Sequence, residues 1–330
     1  MVKVEIDDAV RDYALVYSQR VMASCNDVKK DLANLGTFVA DNNDWNDKSA
    51  ITDYIDLLID DYPKVLTLEP IEWKQYMDKY NEVLKREPDM LKVKVAYRKT
   101  AKKVFKGKLY ERIIECLQYA KARVILGEIH QQMGLKTCVY CNTIPTMSNK
   151  GEVFYQMDHY LPQSLYPFLG TCFYNLQPSC DVCNGHKLTQ DCDFGLYVNS
   201  EQHKELSPFR FVPKVKNLDG PYPECEDIQF RGKGANVTKE SQAHEEMFHI
   251  NNLYAGYKDK VSKLYAKGYK LNDSVVKFMS AAFGLKPSPS DILAYLSDEI
   301  SLKENDIHKE PLMKLKQDTI KQMHDGGVID

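Results

Sequence analysis

Cys138-Val139-Tyr140-Cys141 and Cys180-Asp181-Val182-Cys183-Asn184 are the two stretches that decide how this chain is read. In a reducing compartment, tight cysteine pairs mean metal or redox chemistry rather than a disulfide framework. A redox pair stands alone at a helix start and needs no second pair. Two pairs supply four thiolates, the ligand count of a closed tetrahedral zinc site. The 38 residues between Cys141 and Cys180 exceed the common 15–20 of a zinc ribbon. The insert must therefore do more than close a knuckle.

It carries Asp158-His159-x-x-Pro162 and, just before the second pair, Asn175-Leu176. Residues 152–158 have the composition of a short strand leading into the Asp-His pair. Neighbouring side chains on a strand point to opposite faces, so a bend is needed for Asp158 and His159 to serve one site. Asp158 and the amide oxygen of Asn184 are hard donors, suited to Mg²⁺ or Mn²⁺ rather than to zinc. His159, with an ordinary pKa of about 6.5, is the natural base for a water molecule, and its activity is expected to fall below that pH. Asn175 is placed to orient the imidazole. Lys187 lies about one helical turn after Asn184 and is expected to meet a phosphate. One metal, one base and one cation make a hydrolytic site for a phosphodiester.

In order, these residues resemble the zinc-stabilised HNH endonucleases, the His-Me finger or ββα-metal family. Cys138-x-x-Cys141, Asp158-His159-x-x-Pro162, Gly170, Asn175-Leu176, Cys180-x-x-Cys183-Asn184 and Lys187 follow that family's pattern. The resemblance spans about 50 residues, roughly a seventh of the chain, and departs from the pattern in two places. Asn184 stands where histidine is common, and Gly170-Thr171 stands for the usual glycine pair. It implies a zinc ion on the four cysteines and a catalytic divalent ion on Asp158 and Asn184. It also implies that His159 activates water and that Asn175 positions His159 and its loop. Family analogy further suggests an effector of bacterial anti-phage defence, paired with an ATPase or a sensor protein. Two rivals share the motif: a zinc-stapled nucleic-acid-binding or adaptor module without cleavage, and an RNA-cleaving toxin.

The rest of the chain sets the frame. It has 330 residues, 43% hydrophobic and 28% charged, with a net charge of -3. That is a globular protein, not a uniformly basic nucleic-acid coat. No apolar run reaches the ~18 residues of a membrane span, and no secretory leader is read at the start, so the expected compartment is the cytoplasm. The expected fold is mainly α, with a small four-cysteine zinc ββα-metal (HNH) module between two helical regions. The expected domains are residues 1–133, a nuclease domain at 134–236 with its core at 138–190, and a helical region at 237–330. Apolar stripes predict one helix from Val10 to a stop at Gly36, another ended by Pro63, a third opened by Pro70, and a fourth from Leu109 to Val124. Residues 201–236, rich in proline and mixed in charge, read as short strands or irregular structure. The nuclease core itself is not basic. The expected grip on double-stranded DNA is therefore a basic arm, read as helical, at residues 92–112, with Arg98, Lys99, Lys102, Lys103 and Lys106 as candidate phosphate contacts. Cys25, Cys116, Cys172, Cys192 and Cys225 read as small buried hydrophobes.

Overall fold

The structure is a computed structural model. It describes residues 1–100, 103–199, 205–218, 222–234, 238–270, 273–283, 288–296 and 300–329, with side chains left out at 97–100, 103–105, 273, 276, 279, 283, 289–290 and 295–296. The fold is mainly α, with small two-stranded sheets.

After a short strand β1 (Val4–Glu5) come the helices α1 (Asp8–Ser24), α2 (Val28–Asn42), α3 (Lys48–Val65) and α4 (Trp73–Leu84). Asp7 caps α1 by accepting from the Val10 amide at 2.9 Å. The stripe from Val10 to Leu35 belongs to two helices, because the chain turns at Asp27, which has φ +66°. Gly36 is not a stop. It lies inside α2, and a Cβ there would meet the Ile55 side chain at 3.2 Å. Its small size lets α2 and α3 approach closely. Pro63 likewise sits in the last turn of α3 instead of ending it.

The basic arm is not a helix. Two strands, β2 (Lys94–Thr100) and β3 (Lys103–Lys108), pair antiparallel there. In its first strand Val95 and Tyr97 alternate with Lys94, Ala96 and Arg98, the two-residue period of a strand; in the second, Val104 and Phe105 are adjacent and do not. Lys106 is exposed; the side chains of Arg98, Lys99 and Lys103, and all of Lys102, lie outside what is described. Helices α5 (Leu109–Cys116) and α6 (Tyr119–Gln132) then split the expected fourth helix at Gln118, which is left-handed.

The middle of the chain is a ββα unit. A small pair β4 (Ser148–Asn149) and β5 (Glu152–Val153) precedes β6 (Gln156–His159), which runs antiparallel to β7 (Leu176–Ser179), with His159 opposite Leu176. Helix α7 (Asp181–Lys187) follows at once. Strand β8 (Tyr197–Val198) pairs parallel with β1, tying the start of the chain to the end of this unit. Strands β9 (Phe209–Lys216) and β10 (Glu224–Gly232) form a further antiparallel pair. Helices α8 (Thr238–Phe248), α9 (Ile250–Tyr254), α10 (Lys258–Gly268), α11 (Asp273–Phe283), α12 (Pro289–Leu296) and α13 (Met313–Asp325) complete the chain. Among the described residues, no helix is long and apolar enough to cross a membrane.

The two helical regions hold the ββα unit from opposite sides in sequence. The N-terminal helices seat its loop. Tyr17 donates to the Thr171 carbonyl at 2.8 Å, the Phe173 amide donates to Leu66, and Tyr80 stacks on Phe168 at 4.2 Å. The C-terminal helices seat its first cysteine knuckle. Tyr140 stacks on Phe248 at 4.5 Å, and the Tyr254 hydroxyl donates to the Cys141 carbonyl at 2.7 Å. The buried apolar residues of all three segments form one continuous core.

That core encloses three histidines. Burial pushes the pKa of His130, His244 and His308 down to about 3 each. A histidine whose folded pKa lies below its unfolded value contributes stability above about pH 6.5 and loses it as pH falls toward the folded value. At pH 5 each should cost about 2 kcal/mol relative to pH 7. Urea unfolding at the two pH values is expected to show a loss of several kcal/mol. Replacing His130 by Gln should remove one such share of the pH difference.

Candidate functional site

Cys138, Cys141, Cys180 and Cys183 are all buried, and their sulfurs lie within 4.8 Å of one another. Tetrahedral zinc with Zn–S near 2.3 Å needs sulfurs about 3.8 Å apart, and Cys141 and Cys180 stand at 4.0 Å. The second pair is set by α7: Cys180 is its N-cap, and its sulfur accepts from the Cys183 amide at 3.5 Å. The Thr143 hydroxyl donates to the Cys141 sulfur at 3.1 Å. Such donors favour thiolates. S–H donation from its neighbours lowers the pKa of Cys141, while burial first, and then its hydrogen bonds, raise that of Cys138. Four thiols this close share protons unless a cation replaces them. The set fits zinc and could hold it.

His159 ends β6 and is half-buried. Its Nε2 lies 3.0 Å from the Gly170 carbonyl oxygen. A carbonyl only accepts, so Nε2 carries the proton and Nδ1 keeps a free lone pair. The Tyr119 ring packs against the imidazole at 5.2 Å. Burial pushes the His159 pKa down to about 4, and the Lys187 charge adds to this against the Gly170 hydrogen bond. The imidazole is thus neutral well below the 6.5 expected of an ordinary histidine.

Among the described residues, Asn175 makes no hydrogen bond to the imidazole. It is fully buried and bonds the loop: its oxygen accepts from the Leu161 amide at 2.8 Å, and its nitrogen donates to Leu161 and Leu169 carbonyls, both at 3.2 Å. The next residue after Leu169 is Gly170, the partner of His159. A Cβ at Gly170 would lie 2.0 Å from Ile114 Cδ1 and 3.0 Å from the Pro167 carbonyl oxygen, so a side chain there would force the end of Ile114 to move. Asn175 therefore acts on His159 through the loop.

Asp158 and Lys187 correct two expectations. Asp158 is buried, accepts from the Tyr140 hydroxyl at 2.5 Å, and pairs with the Lys187 ammonium at 3.3 Å. Lys187 is fully buried and donates to the His159 carbonyl at 2.8 Å. It is turned into the unit, so it is not presented to a phosphate; its helical neighbours Asp181, Val182, Gly185 and His186 take the exposed side of α7. Nor is Asp158 an open metal donor. Burial raises its pKa, opposed by Lys187 and Tyr140, and a divalent ion would have to displace an ammonium already in place. Asn184, which the resemblance pairs with it, is half-buried on α7.

The sequence did not single out Tyr140 or Gln177. Gln177 donates to the Tyr140 hydroxyl and accepts from the Leu196 amide at 2.9 Å, completing a buried chain from Gln177 through Tyr140 and Asp158 to Lys187. Alternation along Leu176-Gln177-Pro178-Ser179 would have placed Gln177 outward; it is buried because all four positions of β7 are, and the register sets it opposite Asp158.

With this geometry in view, the chain is similar to the Septu protein PtuB of Bacillus thuringiensis. The two are 32% identical over 92 residues, 27% of this chain and 35% of that protein. The chain thus matches about a third of that relative's length. No family model matches the chain, and no solved structure does.

Two outcomes are expected of this centre. Purified protein should contain one zinc per chain, and Cys180→Ser should lose it and lower the melting temperature markedly, because a ββα unit this small draws much of its folding energy from the metal. Lys187→Met should destabilise the fold by about 3–5 kcal/mol by stranding a buried carboxylate, and Asp158→Asn in the same chain should restore most of it. Denaturant unfolding of the single and double variants reads this directly.

Proposed function

We propose that this chain is a phosphodiester hydrolase of the HNH type, acting on DNA, with His159 as the base, and that it serves anti-phage defence. The single observation that carries the chemistry is the state of His159. Its Nε2–H is committed to Gly170, its Nδ1 lone pair is free, and burial keeps it neutral. Nδ1 takes a proton from water; the water oxygen attacks phosphorus; the P–O ester bond breaks, and the leaving oxygen collects a proton from solvent. Asn175, Gly170 and Tyr119 fix the ring for this step.

The likeness to a Septu protein supports the defence setting, and the four-sulfur cluster supports a zinc-stapled finger. An ATPase or sensor partner belongs to the same proposal. The resemblance also implies Mg²⁺ or Mn²⁺ on Asp158 and Asn184. With Asp158 held by Lys187 and Tyr140, those two residues do not form an open donor set, and no step above runs through such an ion. That buried pair is also the observation that favours the second reading, a zinc-stapled binding module without cleavage.

A nicking assay on supercoiled plasmid, with Mg²⁺, Mn²⁺ or chelator, separates the two. His159→Ala is expected to lose activity by about 10²–10⁴-fold while zinc content and melting temperature stay put. A fully active His159→Ala protein would refute the role. Because the base must be neutral and its pKa is pushed down to about 4, cleavage should hold steady from pH 7 to near pH 5. A midpoint at 6.5 would mean that the imidazole is not enclosed as described.

A further inference from the structure

The candidate active centre supplies little positive charge, since its one lysine is buried and neutralised by Asp158. A polyanion must be gripped elsewhere. A groove of about 1040 Å³ lies between the β9–β10 pair and α13. Strand β9 turns Phe209 and Phe211 into the core, which leaves Arg210 exposed. Strand β10 does the same with Phe230 and Arg231. The register places Arg210 directly opposite Arg231. Like charges facing across a ladder are unfavourable unless something negative lies over them. Arg231 has a neutral hydrogen bond to Gln229, and neither arginine has a carboxylate partner among the described residues. Lys321 of α13 lines the same groove.

Two of the groove's three carboxylates are already paired with lysines. Asp318 pairs with Lys314 at 2.6 Å and accepts from the Phe211 amide at 2.7 Å. Glu304 faces Lys233 at 3.6 Å; the third, Asp325, lies beside His324 and is outweighed by Arg210, Arg231 and Lys321. The unbalanced charge is therefore positive and concentrated on two arginines, whose planar forks suit phosphate oxygens.

We propose that this groove binds the phosphate backbone of the nucleic acid, with Arg210 and Arg231 as its paired contacts and Lys321 as a flanking one. The inference depends on the nuclease reading only for the identity of the polyanion.

The test measures anisotropy of a labelled 30-base-pair duplex against salt, in the full-length His159→Ala background so that no cleavage intervenes. Arg210→Gln with Arg231→Gln is expected to weaken binding at least tenfold and to lower the salt slope by about 2, one for each phosphate contact removed. Lys29→Gln with Lys30→Gln, which removes the same charge from the exposed face of α2, should leave both values in place. Melting temperature of the arginine variant should not fall, since facing like charges are removed. Unchanged binding in the arginine variant overturns the groove, and so does equal weakening in the lysine control, which would mean bulk charge alone. A protein that binds through the arginines yet shows no His159-dependent nicking keeps the groove and sinks the nuclease reading. Nicking with arginine-independent binding does the reverse, and a wild-type chain that binds no duplex sinks both.

Discussion

Four buried sulfurs within 4.8 Å of one another cannot carry the charge that makes them good ligands unless a cation neutralises it. That constraint organises the middle of the molecule. The first pair closes a knuckle, the second opens α7, and the two strands of four residues between them gain a fixed end. Strands this short, with one seven-residue helix, have no core of their own. The cluster ties them at one end, and the helical regions supply the rest.

The division of labour between those regions is visible in single contacts. The N-terminal helices hold the loop that carries Gly170, through Tyr17, Leu66 and Tyr80. The C-terminal helices hold the knuckle that carries Tyr140, through Phe248 and Tyr254. His159 depends on both, because its imidazole answers to Gly170 and the residue before it, Asp158, answers to Tyr140. A change in either helical region can therefore reach the imidazole without touching it.

Charge inside the unit is balanced locally. Lys187 gives its ammonium to Asp158 and to the His159 carbonyl, and so disfavours a proton on the imidazole. Burial is the main reason that His159 is neutral, and the lysine that pairs with Asp158 reinforces it. Outside the unit, two arginines without a carboxylate partner among the described residues, Arg210 and Arg231, face each other across β9 and β10, a local charge that the net charge of -3 conceals.

Spacing alone made the cysteine quartet and the order of its neighbours legible, since a metal site needs a set number of donors and each donor type names itself in sequence. Strong apolar stripes likewise announced the helices. What failed was local: residues 94–98 carry a strand's alternation that the arm's density of lysines masked, and Gly36 and Pro63, ordinary breakers, are absorbed by close packing and by a last turn. By itself, then, the sequence determined the mainly α frame, the four sulfurs and the presence of a histidine between them. Only the tertiary structure decided which nitrogen of that histidine is free, that Asn175 reaches it through a loop, and that Lys187 is buried against Asp158. Those facts depend on which groups meet across tens of residues, and on how much water is excluded when they do, neither of which a linear pattern records.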